Sequence, residues 1–492
     1  MRKLRKRWAL FGAAALLAGC ATGPDFTPPA APRSAGYGEA EDGAKTVEAR
    51  GPGGGSQRFD AALDVPAQWW ELFRCEALDA AVREALANSP TLAQATARLR
   101  QAQEEFNAAA GAARYPAVDA GLSAARKKVN PEAVGMAGVP TPDPFSLFNA
   151  SVSVSYAFDL FGKNRRALEG LKAQVDRRED EREGARQTLA ANVVLAAIRQ
   201  AELEKQIAWT RDIVAARSAQ MAIARQRLES GGISARELER QGMALEQARA
   251  ALPALENRLA QVRRQGAAYL GREPAEAQPE PLDLDAFRLP DELPLTVPAE
   301  LARRRPDIRA AEAVWRRACA NVGVATANLY PQIALSASLG SQTTDASDLL
   351  GRMNVWSLGA DLMQPVFRGG ELRARKRGAA AAYDEAAAAY RETVLRGLQE
   401  VADALGALEA DARALESRAA AATHAKAEFE IARQQKESGG ISEIALLDEH
   451  IRWRQAEIDR VAAQASRHAD TAALFHALGG GWWSRDKPVP AK

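Results

Sequence analysis

The sequence predicts a mainly α-helical chain, built as two similar halves, whose four β-strands contribute to a transmembrane β-barrel. Three observations carry this reading: a six-residue turn that occurs twice, long helical runs free of proline, and four short segments of strict apolar–polar alternation.

The turn comes first. ESGGIS stands at 229–234 and again at 437–442. Paired glycines end a helix because Gly tolerates the left-handed backbone of a C-terminal cap. Ser234 and Ser442 then stand where an N-cap restarts one. Each copy, Gly231-Gly232 and Gly439-Gly440, reads as a tight helix–helix turn. The offset of about 210 residues recurs elsewhere in the chain. Pro90 in NSPTLAQATARLRQA faces Pro306 in RRPDIRAAEAVWRRA, and Tyr115-Pro116 faces Tyr330-Pro331. Phe161-Gly162 faces Phe367 with Gly369-Gly370, and Tyr269-Leu270-Gly271 faces Ala477-Leu478-Gly479. These matches share one order and one register, so the chain is internally duplicated. The halves are residues 67–272 and 298–480, with a Pro- and acid-rich surface connector at 273–297 and a C-terminal tail at 481–492.

Composition bounds the function. The chain has 492 residues and a net charge of +2, which gives no reason to expect a nucleic-acid partner. Hydrophobic content of 47% is inflated by alanine and aromatics are only 6%, a composition suited to close-packed helices. No run of about 18 apolar residues supplies a transmembrane helix.

Residues 1–19 read as an export signal: Arg2, Lys3, Arg5, Lys6 and Arg7 precede the apolar WALFGAAALLA. The segment ends in Leu17-Ala18-Gly19-Cys20, which resembles the bacterial lipobox, where the cysteine is acylated and becomes the first mature residue. Acyl chains contribute about 0.8 kcal/mol of anchoring per buried CH₂. Ordinary cleavage beside an incidental thiol is the alternative. The Gly/Pro/acidic stretch at 20–66 reads as a flexible, lipidated tether.

No proline occurs from Phe161 to Leu252 or from Val366 to Lys487, and both spans are rich in helix-forming residues. In the last arm Leu447, Ile451, Ile458, Val461, Ala465, Ala472 and Phe475 follow a 3–4 spacing, interrupted by Arg454 and His468. This is a coiled-coil seam with small residues that permit close approach. An arm of roughly 65–70 residues extends about 100 Å at 1.5 Å per residue, too long for a globular domain.

The other period appears four times. In 148–158 Phe148, Ala150, Val152, Val154, Tyr156 and Phe158 alternate with Asn149, Ser151, Ser153 and Ser155. Ile333, Leu335, Ala337 and Leu339 alternate with Ser336 and Ser338, and Val118, Ala120 and Leu122 with Asp119, Gly121 and Ser123. Trp356, Leu358, Ala360 and Leu362 oppose Ser357, Gly359 and Asp361. Each segment is about 10 residues, the length of a tilted membrane strand. A charge facing lipid costs roughly 2–4 kcal/mol at mid-membrane, and both Asp119 and Asp361 fall on the serine–glycine face. That face, with Asp119, Ser151, Ser153, Ser155, Ser336, Ser338 and Asp361, is the candidate barrel lumen. A soluble antiparallel sheet with one wet face has the same alternation; the export signal favours the membrane. Four strands cannot close a barrel and open edges are not tolerated in lipid, so the strands must join an oligomeric barrel. Residues 126–147 and 342–352 are its candidate outer loops.

At these residues the chain resembles the TolC-type outer-membrane efflux channels, in their NodT/OprM-like lipoprotein branch. The resemblance rests on Cys20 followed closely by GPDFTPPAAP, on WWELFRCEALDAAVREALANSPTLAQATARLRQA, on FDLFGKNRR, on ANLYPQIALSASLG and on PVFRGGELRARKRGAAAAYDEAAAAYRETVLRGLQEVADAL, and covers nearly the whole mature chain. It implies a homotrimer with a twelve-stranded barrel in outer-membrane lipid and a periplasmic tunnel of long α-helical hairpins. It also implies two partners, a periplasmic adaptor (membrane fusion protein) and an inner-membrane pump of the resistance–nodulation–division type. Ala21, in place of an aspartate after the lipobox cysteine, is consistent with outer-membrane sorting; Arg74-Cys75 departs from the family pattern.

The resemblance also assigns sites. The turns at Gly231, Gly232, Gly439 and Gly440 become the periplasmic tip and adaptor-docking surface. Leu447-Asp448, about nine residues past the second glycine pair, matches the family's constriction, where acidic residues ring the axis and bind cations. The family's second acid is replaced by Ala445, Glu443 and Glu449 are candidate helpers, and Arg240 at the matching offset of the first half is a candidate ionic partner of Asp448.

Chemistry is otherwise sparse. His424, His450, His468 and His476 lack metal-ligand spacing, and GPGGGS at 51–56 lacks the context of a phosphate loop and reads as linker. Neither catalysis nor a cofactor is expected beyond the covalent lipid. Cys75 and Cys319 could pair in an oxidising compartment, with separate packed thiols as the alternative. Two function classes remain: a passive outer-membrane conduit for exported solutes, or a structural or adaptor lipoprotein with coiled-coil hairpins and no pore.

Overall fold

The computed structural model describes residues 22–34, 36–38, 41–275, 282–349, 351 and 353–485. The signal segment and Cys20 lie outside the described residues. Among the described residues the helices are α1 (Glu76–Asn88), α2 (Pro90–Arg114), α3 (Lys163–Glu229), α4 (Ala235–Tyr269), α5 (Pro298–Arg304), α6 (Pro306–Ala327), α7 (Glu371–Glu437) and α8 (Glu443–Ala477). The strands are β1 (Arg58–Asp60), β2 (Ala117–Lys127), β3 (Phe145–Phe158), β4 (Glu292–Pro294), β5 (Gln332–Thr343) and β6 (Val355–Met363).

The duplication is plain in the element order: a short helix pair, a strand pair, and a hairpin of one 67-residue and one 35-residue helix occur twice. Only the first arm of each hairpin thus has the expected length; α4 and α8 are about half as long, and exposed Pro253 lies within α4. The chain divides into two units. One comprises Met1–Pro29, Arg98–Arg178 and Ala311–Tyr390; the other comprises Ala30–Ala97, Glu179–Ala310 and Arg391–Lys492.

The first unit contains an antiparallel sheet in the order β2-β3-β5-β6. Its strands begin and end slightly beyond the sequence expectation: β2 extends to Lys127, β3 starts at Phe145 and β5 runs to Thr343, shortening both connecting loops.

The second unit holds the main core. Trp69, Trp70, Phe73, Leu78, Leu203, Phe287 and Phe475 are almost wholly buried, and the Trp69 and Phe475 rings stack at 5.5 Å. Two segments depart here from the sequence reading. The stretch read as a flexible tether is docked over residues 41–66: β1 pairs in parallel with β4, and Gln57 and Val65 are fully buried. Gly53 and Gly54 of GPGGGS serve close approach rather than flexibility. Arg467, fully buried in α8, donates to the carbonyls of Gly53 and Gly55 and to Thr46 Oγ1. A Cβ on Gly53, whose φ is +70°, would lie 2.8 Å from the His468 ring. The connector is likewise packed, because Leu284, Phe287 and Leu293 insert into the core. His468 interrupts the seam only formally, since its buried ring is held by the carbonyls of Gln464 and Phe287. Cys75 and Cys319 are both free thiols.

Candidate functional site

The strand register sorts every candidate lumen residue onto one face. Asp119 pairs with Ser153, Ser153 with Ser338, and Ser338 with Ser357, whose hydroxyls hydrogen-bond at 2.8 Å. Ser155 pairs with Ser336, Ser151 with Gly121 and Gly340, and Asp361 with Ala334. The opposite face carries the rows Val118–Val154–Ala337–Leu358 and Ala120–Val152–Leu339–Trp356. Leu122, Trp356 and Leu358 on that face are more than three-quarters exposed in the protomer. An apolar surface of this extent is unsuited to water. Strands of 9 to 14 residues at about 3.3 Å per residue, tilted by about 40°, are long enough to span most or all of the roughly 25 Å of a barrel's apolar band. β2 and β6 are the outer strands of the sheet, each with one edge unpaired among the described residues.

The hairpin ends are built alike. Gly231 and Gly439 adopt φ of +72° and +78°, and the N–H of the next glycine reaches back to the carbonyl of Arg227 or Gln435 at 2.7 Å. This closes the carbonyl end of the first arm as a Schellman-type cap. Ser234 then accepts from the Glu237 N–H and Ser442 from the Ala445 N–H, restarting the helix.

Asp448 lies in the first turns of α8 and is tied to α3, not to α4. Gln220 donates to its carboxylate at 2.8 Å and Arg217 reaches it at 3.4 Å, while the Gln220 amide also meets the Ile444 carbonyl. The expected partner Arg240 is engaged elsewhere: it pairs with Glu237 on its own helix at 2.6 Å and holds that carboxyl below its usual range. The proposed helpers are also engaged, Glu443 with Lys436 and Glu449 with Arg452. Beyond Asp448, Ile451 packs with Ile213 and Ala216 of α3, and Arg454 pairs with Asp212 at 2.9 Å. The seam of α3 on α8 therefore alternates polar tie, apolar patch, polar tie. Sequence reading missed the α3 partners because they pair the two halves with each other, whereas the turn reports only pairing within a half.

At the other sequence landmark, Arg166 is buried and holds the first described residues. Its guanidinium donates to the Thr22 and Gly23 carbonyls and pairs with Asp25 at 2.7 Å. The Thr22 N–H and hydroxyl both reach the Phe161 carbonyl, and Phe26 packs edge-on against Trp315 at 5.3 Å. No cluster that could hold a metal occurs among the described residues.

Comparison with known proteins agrees with this architecture. The family model for outer membrane efflux proteins matches residues 81–272 and 297–480. The pyoverdine export outer membrane protein OpmQ of Pseudomonas aeruginosa is 31% identical over 425 residues, covering 85% of this chain and 88% of its own. The solved structure of the outer-membrane channel OprN superposes with a TM-score of 0.79 at 27% identity, covering 94% of this chain and all of that one. The Campylobacter jejuni CmeC outer membrane channel shares the fold, with a TM-score of 0.82 at 20% identity over 94% of this chain and 95% of that one. The chain belongs to the outer membrane efflux protein family, as an outer-membrane channel component of an efflux pump that extends into the periplasm.

Proposed function

We propose that three copies of the chain close a single twelve-stranded barrel and act as a passive conduit, with energy supplied by an inner-membrane pump of the resistance–nodulation–division type through a periplasmic adaptor. The observation that carries this reading is the sheet itself: four strands with one apolar face and, among the described residues, an unpaired edge at each end. In lipid such edges must be satisfied, and joining β6 of one protomer to β2 of the next satisfies both. The serine–aspartate face, from Asp119 to Asp361, then lines the lumen, and no charge within the apolar rows faces lipid.

In the same reading the covalent lipid on Cys20 is a second anchor, and Arg166 holds the first described residues, Thr22–Asp25. Gly231, Gly232, Gly439 and Gly440 form the periplasmic tip, where the adaptor docks, and Asp448 is the constriction that keeps the resting channel shut.

Site-specific cross-linking from the two glycine turns, in cells expressing adaptor and pump, tests the arrangement. Adducts to the adaptor at both turns, together with abolished efflux but intact trimers in Gly232→Trp or Gly440→Trp, are expected. Adaptor adducts confined to positions away from the turns contradict the tip assignment. An intact mass of Cys20-containing wild-type protein that shows no acylation removes the lipid anchor.

A further inference from the structure

The end of α8 nearest its turn carries a group of side chains that neither the barrel nor Asp448 uses. Arg454 donates through Nε to Nε2 of His450 at 3.2 Å and also pairs with Asp212 of α3 at 2.9 Å. The cluster is walled by rings. Phe429 of α7 lies 5.1 Å from the His450 ring and 5.2 Å from Trp453, and the Arg454 guanidinium covers the Trp453 face at 4.1 Å. Lys426 of α7 sits 5.9 Å from the same indole, whose N–H points to Glu457. The charged groups that His450 meets are therefore Arg454 on its own helix and Asp212 across from it, with Lys426 beyond Trp453.

We propose that His450, Arg454 and Asp212 form a proton-labile latch between α8 and α3, closed at neutral pH and released in acid. The chemistry follows from the imidazole. Nε2 accepts from Arg454 only while it keeps its lone pair, with the ring proton on Nδ1; the imidazolium has no acceptor. Protonation replaces that hydrogen bond with two cations in contact, facing one carboxylate. Asp212 cannot offset both, and Lys426 adds positive charge nearby. The α8–α3 seam then loses its tie beyond Ile451, leaving Asp448 and its partners as the polar contact nearest the glycine turns. The direction agrees with the environment of His450, whose pKa is lowered from 6.5 first by burial and then by Arg454, against a smaller pull from Asp212. The latched state thus binds the proton less readily than the released state, so its stability is whole above about pH 6.5 and falls as pH drops below it.

This latch rests on the reading of the hairpin ends as the gate, and one experiment separates the two. Full-length wild type, His450→Gln, Asp212→Asn and Asp448→Ala are reconstituted in planar bilayers, and open probability is recorded while the periplasmic side is acidified. Glutamine accepts a hydrogen bond and never becomes a cation. Wild type is expected to open progressively below pH 6.5, by up to about tenfold per pH unit until His450 saturates. His450→Gln stays shut over the same range, and Asp212→Asn opens already at neutral pH. A pH profile of His450→Gln that coincides with wild type overturns the latch, whether both rise or both stay flat. An Asp448→Ala channel that is unaltered at neutral pH instead overturns the gate reading, while the comparison of wild type with His450→Gln still decides the latch. Should His450→Gln fail to assemble, Ala216→Cys combined with Ile451→Cys and oxidised to bridge α3 and α8 gives the second readout: the cross-linked channel must remain shut in acid, and acid opening of it refutes release at this seam.

Discussion

The side-chain amide of Gln220 on α3 donates to the Asp448 carboxylate on α8 at 2.8 Å, joining the first half of the chain to the second within a few turns of both glycine caps. Arg217 adds a longer ion pair to the same carboxylate. A contact of this kind at a partly exposed site contributes about 1 kcal/mol, or roughly a fivefold change in a two-state equilibrium. Asp448→Ala is therefore expected to raise the resting open probability severalfold and to abolish block by a multivalent cation applied from the periplasmic side. Unchanged block and unchanged opening would place the constriction elsewhere.

The two faces of the sheet make opposite predictions for one substitution. Leu358→Arg puts a charge on the apolar face and is expected to cost about 2–4 kcal/mol if the row lies near mid-membrane, reducing insertion and trimer yield. Ser338→Arg, in a neighbouring strand but on the opposite face, is expected to insert normally and to lower single-channel conductance. Equal insertion of both variants would mean that the apolar face does not meet lipid.

Arg467 makes a prediction about stability alone. Truncation to Ala strands the Gly53 and Gly55 carbonyls and leaves the Thr46 hydroxyl with the Gln57 N–H, and is expected to destabilise the second unit by about 3 kcal/mol, read as a lowered unfolding temperature. Gly53→Ala should act in the same direction, through its positive φ and its contact with the His468 ring.

Asp470 sets a pH dependence. Burial, followed by hydrogen bonding and repulsion from Asp411, raises its pKa from 3.8 to about 7. A raised carboxyl pKa means that the folded state holds the proton more tightly, so stability declines as pH rises from 3.8 toward 7. Asp470→Asn is expected to raise the unfolding temperature near pH 8, with the gain shrinking as pH falls toward 4. A gain independent of pH would exclude the shared proton as its cause.

These residues also mark what could be read from the sequence. The turns, the four strands and the phase of their faces were legible because each depends on a local period: glycine pairs end helices, and alternation of two survives in a strand whatever it packs on. The family signatures did the rest. The docked segment at 41–66 was not legible, because the glycines that let backbone approach Arg467 have the composition of a linker. The connector misled in the same way, its Leu284, Phe287 and Leu293 lying among prolines and acids. At the candidate gate, Asp448 followed from a family pattern, whereas Gln220, Arg217 and the Arg454–Asp212 pair required knowing that α8 packs on α3. The expected partner Arg240 failed because matching offsets from two turns do not make two residues neighbours; its own Glu237, one turn away, is the nearer carboxylate.

A trimer closed around the serine–aspartate face is a conducting pore in the proposed reading. Purified full-length protein, sized as trimers and added to a planar bilayer, tests it most directly. Discrete single-channel steps are expected at neutral pH, more frequent in Asp448→Ala and smaller in Ser338→Arg. Trimers that insert stably yet pass no current in wild type and in Asp448→Ala alike would contradict it.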